Sequence, residues 1–367
     1  MERYRELSQP ECRQNRYALI SLFVCLGISV VAGVCHGVTM ALLILSTALL
    51  VAVPASFFVA VTRPAAVLER RLHRLGTVIC GWRGVEGMAG NIAVPLSDND
   101  MFPRGTTKMN GVKFYGNRDP EEIIAYAAAL FRASGGGLAP LFEDLLLSRN
   151  GPRYEAEAVR QYHGGGVGGE VCGEPVLVGT LKFLKDMGVE VPQGTMVQQA
   201  VHLSIDGQLA GLFAISYNRS KYSASGLATL GGDRKLTAVI TAGDFMLNDD
   251  FLRSKFGIHP KRVAFPDMRK RVAMSRLGPV DGDQALALVT REGLAPAAYA
   301  ITGARALRTA CRLGMAIHMI GGILGMVMML LLAILGSVEL LTPIHILLYQ
   351  LIWTVPGLLV TVWPKTI

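Results

Sequence analysis

The chain has 367 residues, 51% of them hydrophobic and only 17% charged, with 36 Lys+Arg against 28 Asp+Glu and a net charge of +8. A soluble domain usually carries about 25% charged residues, and this composition excludes intrinsic disorder, a disulfide scaffold and a collagen-like fibre. The positive balance does not point to nucleic acid, because the basic residues gather where apolar runs begin and end.

Tyr17 to Cys35 is a first uncharged run and Gly37 to Val61 a second, separated only by Cys35-His36-Gly37. A spanning helix needs about 20 apolar residues, so the two read as a tight transmembrane hairpin. The first run is longer than a signal-peptide core, lacks a small-x-small cleavage site and leads straight into another span. Gly314 to Gly336 and Leu340 to Trp363 make a second hairpin, joined around Ser337-Val338-Glu339. Arg3, Arg5, Arg13 and Arg16 precede the first span. Arg63, Arg70, Arg71 and Arg74 follow the second, and Arg305, Arg308 and Arg312 precede the third. Neither hairpin tip carries Lys or Arg, so the positive-inside rule places both termini and the whole middle in the cytoplasm. The lipid bilayer is the partner this pattern names, with no nucleic acid. The six cysteines are scattered without a C-x-x-C pair, and no zinc site or disulfide framework is expected.

Between the hairpins, strands and helices alternate. Ile92 to Leu96 reads as a strand ending in Ser97-Asp98-Asn99-Asp100, and Gly111 to Tyr115 as another. Glu121 to Arg132 has helical periodicity, with Ile123, Ile124, Tyr126, Ala127 and Leu130 on one face. Glycine clusters at Gly135 to Gly137 and Gly164 to Gly169 read as loops. Val176 to Val178 is a strand, followed by a helix around Leu181 to Met187. Val201 to Ser216 alternates on both sides of Asp206-Gly207 and reads as a hairpin. Lys235 to Thr241 is a strand running into Ala242-Gly243-Asp244, with a helix from about Asp249 to Phe256. The expected organisation is a cytoplasmic N-terminus (1–16), a first hairpin (17–62), an α/β domain in two parts (63–118 and 217–312), a β-rich insert between them (119–216), a second hairpin (313–363) and a short tail (364–367).

This order of parts resembles the core of a P-type ATPase, and local patterns along nearly the whole chain carry the resemblance. Val51-Ala52-Val53-Pro54-Ala55-Ser56 sits where that family has its proline-broken helix beside the ion site. Arg70 to Glu86, with Leu75-Gly76 and Val85-Glu86, looks like the link to the phosphorylation strand. Gly164-Gly165-Gly166-Val167-Gly168-Gly169, followed by Pro175-Val176-Leu177-Val178-Gly179, is similar to the nucleotide-binding domain of the heavy-metal branch. Val239-Ile240-Thr241-Ala242-Gly243-Asp244 resembles the strand ending in T-G-D, and Phe256-Gly257-Ile258 follows it. Leu341-Thr342-Pro343-Ile344-His345-Ile346-Leu347-Leu348 and Pro356 resemble the last hairpin of the cation pumps. The resemblance implies an α/β HAD-like (haloacid-dehalogenase-like, Rossmannoid) domain with an α+β nucleotide-binding-like insert and four transmembrane α-helices. It implies ATP or another nucleotide and Mg2+ as cofactors. Gly164, Gly166 and Gly169 would let a nucleotide approach the backbone; an ordinary flexible turn is the alternative. His163 would be a solvated loop residue beside them.

The departures from the family pattern carry as much information. The phosphorylated D-K-T-G-T-L-T is absent, and counting back from Gly105 puts Ser97 at the aspartate's place, where a hydroxyl with no neighbouring base is a poor nucleophile. The S-x-H-P histidine is missing, with Gly135, Gly136 and Gly137 following Ser134. The G-D-G-x-x-N-D segment that completes the Mg2+ site is not found, and Val289-Thr290-Arg291-Glu292-Gly293 lies near its place. There is no T-G-E, and no room for an actuator domain. Ala55 replaces the glutamate after the helix-breaking proline, C-P-C is absent, and the ligand positions of the last hairpin fall near Gln350 and Trp353-Thr354. Intramembrane carboxylates are costly and usually functional; these positions hold none.

Asp98 and Asp100 also fit the D-x-D of HAD-type phosphatases, with Asp98 as nucleophile and Asp100 as acid/base. Thr241 would then bind the phosphate and Lys270 neutralise it. A polar loop capping the next segment is the alternative. Asp244 is either a metal-site neighbour or a helix-capping residue. Tyr349, Trp353 and Trp363 suit an interfacial belt, and His318 and His345 are expected between helices. The resulting expectation is a P-type-ATPase-like membrane protein that has lost pumping and acts as a scaffold, sensor or regulator. The alternatives are a membrane-anchored phosphohydrolase using Asp98 and Asp100, or half of a split cation-transporting ATPase completed by a partner membrane protein. A homo-oligomer is a further option.

Overall fold

The computed structural model describes residues 9–90, 92–162, 165–192, 199–257, 263–275, 285–291 and 293–362. Arg3, Arg5, His163, Gly164, Ile258, Glu292 and Trp363 lie outside the described residues. The chain divides into two compact units, one formed by 1–90, 283–291 and 299–367 and the other by 91–282 and 292–298. The second unit takes in α/β segments from both sides of the insert.

The elements in chain order begin with α1 (Gln9–His36) and α2 (Val38–Ala52), a short 3-10 turn at Ala55–Val59, and α3 (Thr62–Arg74). Then come β1 (Thr77–Ile79), α4 (Gly81–Met88), β2 (Ile92–Leu96), α5 (Asp98–Met101) and β3 (Thr107–Phe114). The middle continues through α6 (Pro120–Ser134), α7 (Ala139–Ser148), β4 (Ala156–Tyr162), β5 (Gly166–Val171), β6 (Glu174–Gly179), α8 (Leu181–Asp186), β7 (Ala200–Ile205) and β8 (Gln208–Tyr217). It closes with α9 (Lys221–Gly232), β9 (Leu236–Ile240), α10 (Asp249–Phe256), β10 (Val263–Ala264), α11 (Met268–Ser275), β11 (Ala287–Val289), α12 (Leu294–Leu335) and α13 (Pro343–Thr361).

Among the described residues, four helical stretches are long and apolar enough to cross a membrane: Gln9–His36, Val38–Arg74, Leu294–Leu335 and Pro343–Thr361; apart from residues 294–298 they belong to the first unit. The chain is an integral membrane protein. Val53-Pro54 ends α2 because proline cannot continue the helix and restricts the residue before it. Glycines on α12 receive this broken segment. A methyl at Gly322 would overlap the Ala52 carbonyl and the Tyr17 hydroxyl, and one at Gly325 would overlap Val51. Tyr349 and Trp353 pack on the same glycine row: the Tyr349 hydroxyl donates to Gly321 O at 2.5 Å, and a methyl at Gly321 would meet the Trp353 ring. Both side chains contact α12 at Gly321. His318 is buried against Ser56, at 3.3 Å, whereas His345 is exposed and caps α13 through Thr342. A histidine in a helix's first turn finds backbone and hydroxyl partners there without being buried.

Among the described residues, the second unit holds two sheets. A parallel sheet runs β10-β9-β2, with Leu96 opposite Ile240. A six-stranded antiparallel sheet runs β3-β8-β7-β6-β5-β4. It includes Thr107–Phe114, upstream of the expected start of the insert at 119. The β7–β8 hairpin turns through Asp206 and Gly207, whose φ of 48° and 73° are the left-handed pair of a two-residue hairpin turn. The glycine run expected as a loop is a strand from Gly166 onward, paired on both sides. Its glycines clear space for neighbours: a methyl at Gly166 would overlap the Phe183 ring, and one at Gly169 would come within 2.9 Å of Glu157 O.

Candidate functional site

Because β2 and β9 are parallel neighbours, the loops after both leave the sheet at the same edge, where α/β sheets place ligands. The residues gathered there do not share one task. The Ser97 N–H and hydroxyl both donate to Asp100 Oδ2, at 2.8 and 2.7 Å. Ser97 and Asp100 are thus engaged with each other, as a local cap at the start of α5. Thr241 donates its hydroxyl to Leu96 O at 3.1 Å. Lys270 is exposed on α11.

Asp98 is the centre of the arrangement. Its Oδ2 accepts the N–H groups of Gly137 and Gly243, each at 3.0 Å, and its Oδ1 accepts that of Asp244 at 3.2 Å. Gly137 belongs to the glycine loop between α6 and α7, which begins at Gly135 in the left-handed region, φ 69°. A methyl at Gly137 would overlap Asp98 Cβ, and one at Gly136 would lie 3.8 Å from Gly243 O. The loop therefore closes over the carboxylate it binds. Burial outweighs the three donors and raises the Asp98 carboxyl above its usual range.

Asp244 lies beside it and is buried. Its Oδ2 accepts the Tyr217 hydroxyl at 2.5 Å and its Oδ1 the Met246 N–H at 2.8 Å. Burial, then the charge of Asp98, push Asp244 up to about 7. Burial, then the Asp244 carboxylate to which it donates, hold the Tyr217 hydroxyl well above its ordinary value. The cation facing both acids is Arg271, one residue beyond Lys270. It is buried, donates through Nη1 to Ala242 O at 3.3 Å and Leu247 O at 3.2 Å, and lies 4.5 Å from the Phe265 ring centre. Arg271, Tyr217 and Gly137 were not singled out as site residues by sequence. One helical position separates Lys270 from Arg271, and only packing decides which side chain turns inward.

Mg2+ does not fit these residues. Asp98 is taken up by three N–H donors, Asp244 by a hydroxyl and an N–H, and the nearby charge is a guanidinium. Among the described residues no three His, Cys, Asp or Glu side chains gather as a metal-binding group. At Gly166 and Gly169, Phe183, Leu130 and Glu157 O fill the space a side chain would take, so packing within the sheet requires both glycines.

The membrane unit holds the second candidate site, at the Pro54 break. A broken helix leaves main-chain carbonyls without intrahelical partners. Here the chain supplies donors itself: Gln350 Nε2 donates to Leu50 O, the Tyr17 hydroxyl to Ala52 O at 3.2 Å, and Gln14 Nε2 to Phe57 O.

No family model matches this chain, and no curated protein does. Solved structures do match. The chain is similar to a zinc-transporting PIB-type ATPase at 16% identity, over 95% of its own length and 62% of that chain, with a TM-score of 0.44. It is similar to the N-domain of HMA6, a copper-transporting P-type ATPase, at 20% identity over 30% of this chain and 100% of that one, with a TM-score of 0.26. The catalytic domain of the CPx-ATPase CopB-B matches at 14% identity over 55% of this chain and 69% of that one, with a TM-score of 0.34. The chain is similar to P-type ATPases. It spans 62% of the length of the zinc-transporting structure.

Proposed function

We propose that this is a P-type-ATPase-like membrane protein that does not pump, with a phosphorylation-type domain serving as a structural and regulatory module. The observation that carries the reading is the Asp98 carboxylate, held by the N–H groups of Gly137, Gly243 and Asp244 under a loop of its own chain. An attacking carboxylate must be ionised and must meet a phosphoryl group stabilised by cations. Burial favours the neutral form of Asp98, three N–H groups hold it under the loop, and Arg271 supplies fixed charge where phosphoryl transfer would rely on a metal ion. The donors at the Pro54 break support the same reading, because Tyr17 and Gln350 satisfy carbonyls that a desolvated cation would need.

Full-length protein in detergent, given radiolabelled ATP with and without Mg2+, is expected to form no acid-stable phosphoprotein and to release no phosphate. Mg2+-dependent release that disappears in Asp98→Asn would overturn the proposal in favour of the phosphohydrolase. A co-purifying membrane protein that contains T-G-E and restores release would establish the split transporter instead.

A further inference from the structure

α3 presents two different faces. Pro64, Leu68 and Leu72 recur every four residues and are buried, and Leu68 packs so closely on α12 that a methyl at Gly303 would lie 2.6 Å from its Cδ1. That contact fixes the rotation of the helix. Arg63, Val67, Arg70, Arg71 and Arg74, spaced at i, i+4, i+7, i+8 and i+11, then form one stripe on the other side. The stripe, together with Val362 at the end of α13, lines a cavity of about 450 Å³.

Among the described residues no acidic side chain lines that cavity. Arg71 lies 5.8 Å from the Tyr299 ring centre, and among the described residues Arg63, Arg70 and Arg74 make no ion pair. A second basic cavity, with Arg13, Arg308 and Arg312, contains Glu86 and so carries its own counter-charge. Like charges gathered without a counter-ion repel one another, and guanidinium groups suit a phosphate because they bind it through paired N–H donors. The positive-inside rule accounts for the number of these arginines but not for their alignment around one cavity. The cavity sits where two membrane-length stretches end, Val38–Arg74 and Pro343–Thr361. Val67 and Val362 add apolar lining beside the arginines.

We propose that this cavity binds the phosphate of an anionic lipid headgroup, with Arg63, Arg70 and Arg74 as its ligands and the valines against the lipid's apolar part. An arginine near an anionic lipid surface contributes about fivefold in binding, so losing three weakens it by roughly a hundredfold.

The test uses the full chain in neutral detergent, titrated with phosphatidylglycerol, phosphatidylcholine or inorganic phosphate and followed by thermal unfolding, since a ligand of the folded state raises Tm. Phosphatidylglycerol is expected to raise Tm, phosphatidylcholine and inorganic phosphate are not, and the half-saturating phosphatidylglycerol concentration should rise roughly a hundredfold in Arg63→Gln/Arg70→Gln/Arg74→Gln. Arg149→Gln, on the second unit, should leave it unchanged. If the triple variant does not fold, Arg70→Gln alone should weaken binding about fivefold. Equal shifts with phosphatidylcholine, an equal shift with inorganic phosphate, or retained affinity in the arginine variants would each overturn the assignment.

Discussion

An aspartate enclosed beside a second carboxylate is easier to keep neutral than to ionise. Asp244, pushed up to about 7 by burial and by Asp98, is in that position. In the unfolded chain it would titrate near about 3.9. An acid whose folded value lies above its unfolded value favours the fold while protonated, so this contribution is full below about pH 4 and is lost as pH rises toward about 7. Thermal unfolding of the full chain should therefore show Tm falling between about pH 5 and 7, with a shallower fall in Asp244→Asn, which cannot ionise. A wild-type profile no steeper than that of the variant would contradict the assignment. Arg271 acts in the opposite sense, because its charge favours both ionised carboxylates. Arg271→Met should lower Tm more at about pH 8 than at about pH 5, since the acids it compensates are charged only at the higher pH.

Among the elements, β5 shows best how a local pattern can mislead. A dense glycine run has the composition of a loop, yet Gly166–Val171 pairs with β4 and β6. The glycines are needed because Phe183 and Leu130 press against the sheet where side chains would stand. Gly166→Ala should cost about 1–3 kcal/mol through overpacking. Phe183→Leu in the same background should recover part of that loss, and a denaturant double-mutant cycle measures the coupling. Strict additivity would mean that the ring is not what the glycine accommodates.

The legible elements were those with a local physical cause. Ile92 to Leu96 and Asp249 to Phe256 fall within the observed bounds, and Asp206-Gly207 marked its hairpin because both positions need left-handed backbone. The place of Thr107–Phe114 in the antiparallel sheet depends on pairing with β8, about a hundred residues away, and no local periodicity encodes it. The site was only half legible for the same reason. Asp98 and Asp244 stand out as acids at strand ends, but the approach of Gly137 and the inward turn of Arg271 depend on how distant segments pack.

At the scale of the molecule, the membrane unit must solve a problem that no soluble unit faces. Hydrocarbon offers no water to a broken helix, so each freed carbonyl needs a partner from the protein. The Pro54 break frees carbonyls near the end of α2, and side chains from α13 and α1 reach them: Gln350 to Leu50 O and Tyr17 to Ala52 O. Gln350→Leu and Tyr17→Phe keep most of the side-chain volume while removing one donor each. Each should lower the stability of the detergent-solubilised chain by about 0.6–2 kcal/mol, the range for polar contacts between membrane helices. Because they serve different carbonyls, the double variant should lose about the sum of the two. Helix loss followed by circular dichroism during heating reads both effects. If the break were instead held open for a cation, removing these donors would leave Tm unchanged or raise it when that ion is added. Stabilisation of Gln350→Leu by a transition-metal ion would therefore return the ion path to this chain, and its absence in both variants leaves Tyr17 and Gln350 as the groups that close it.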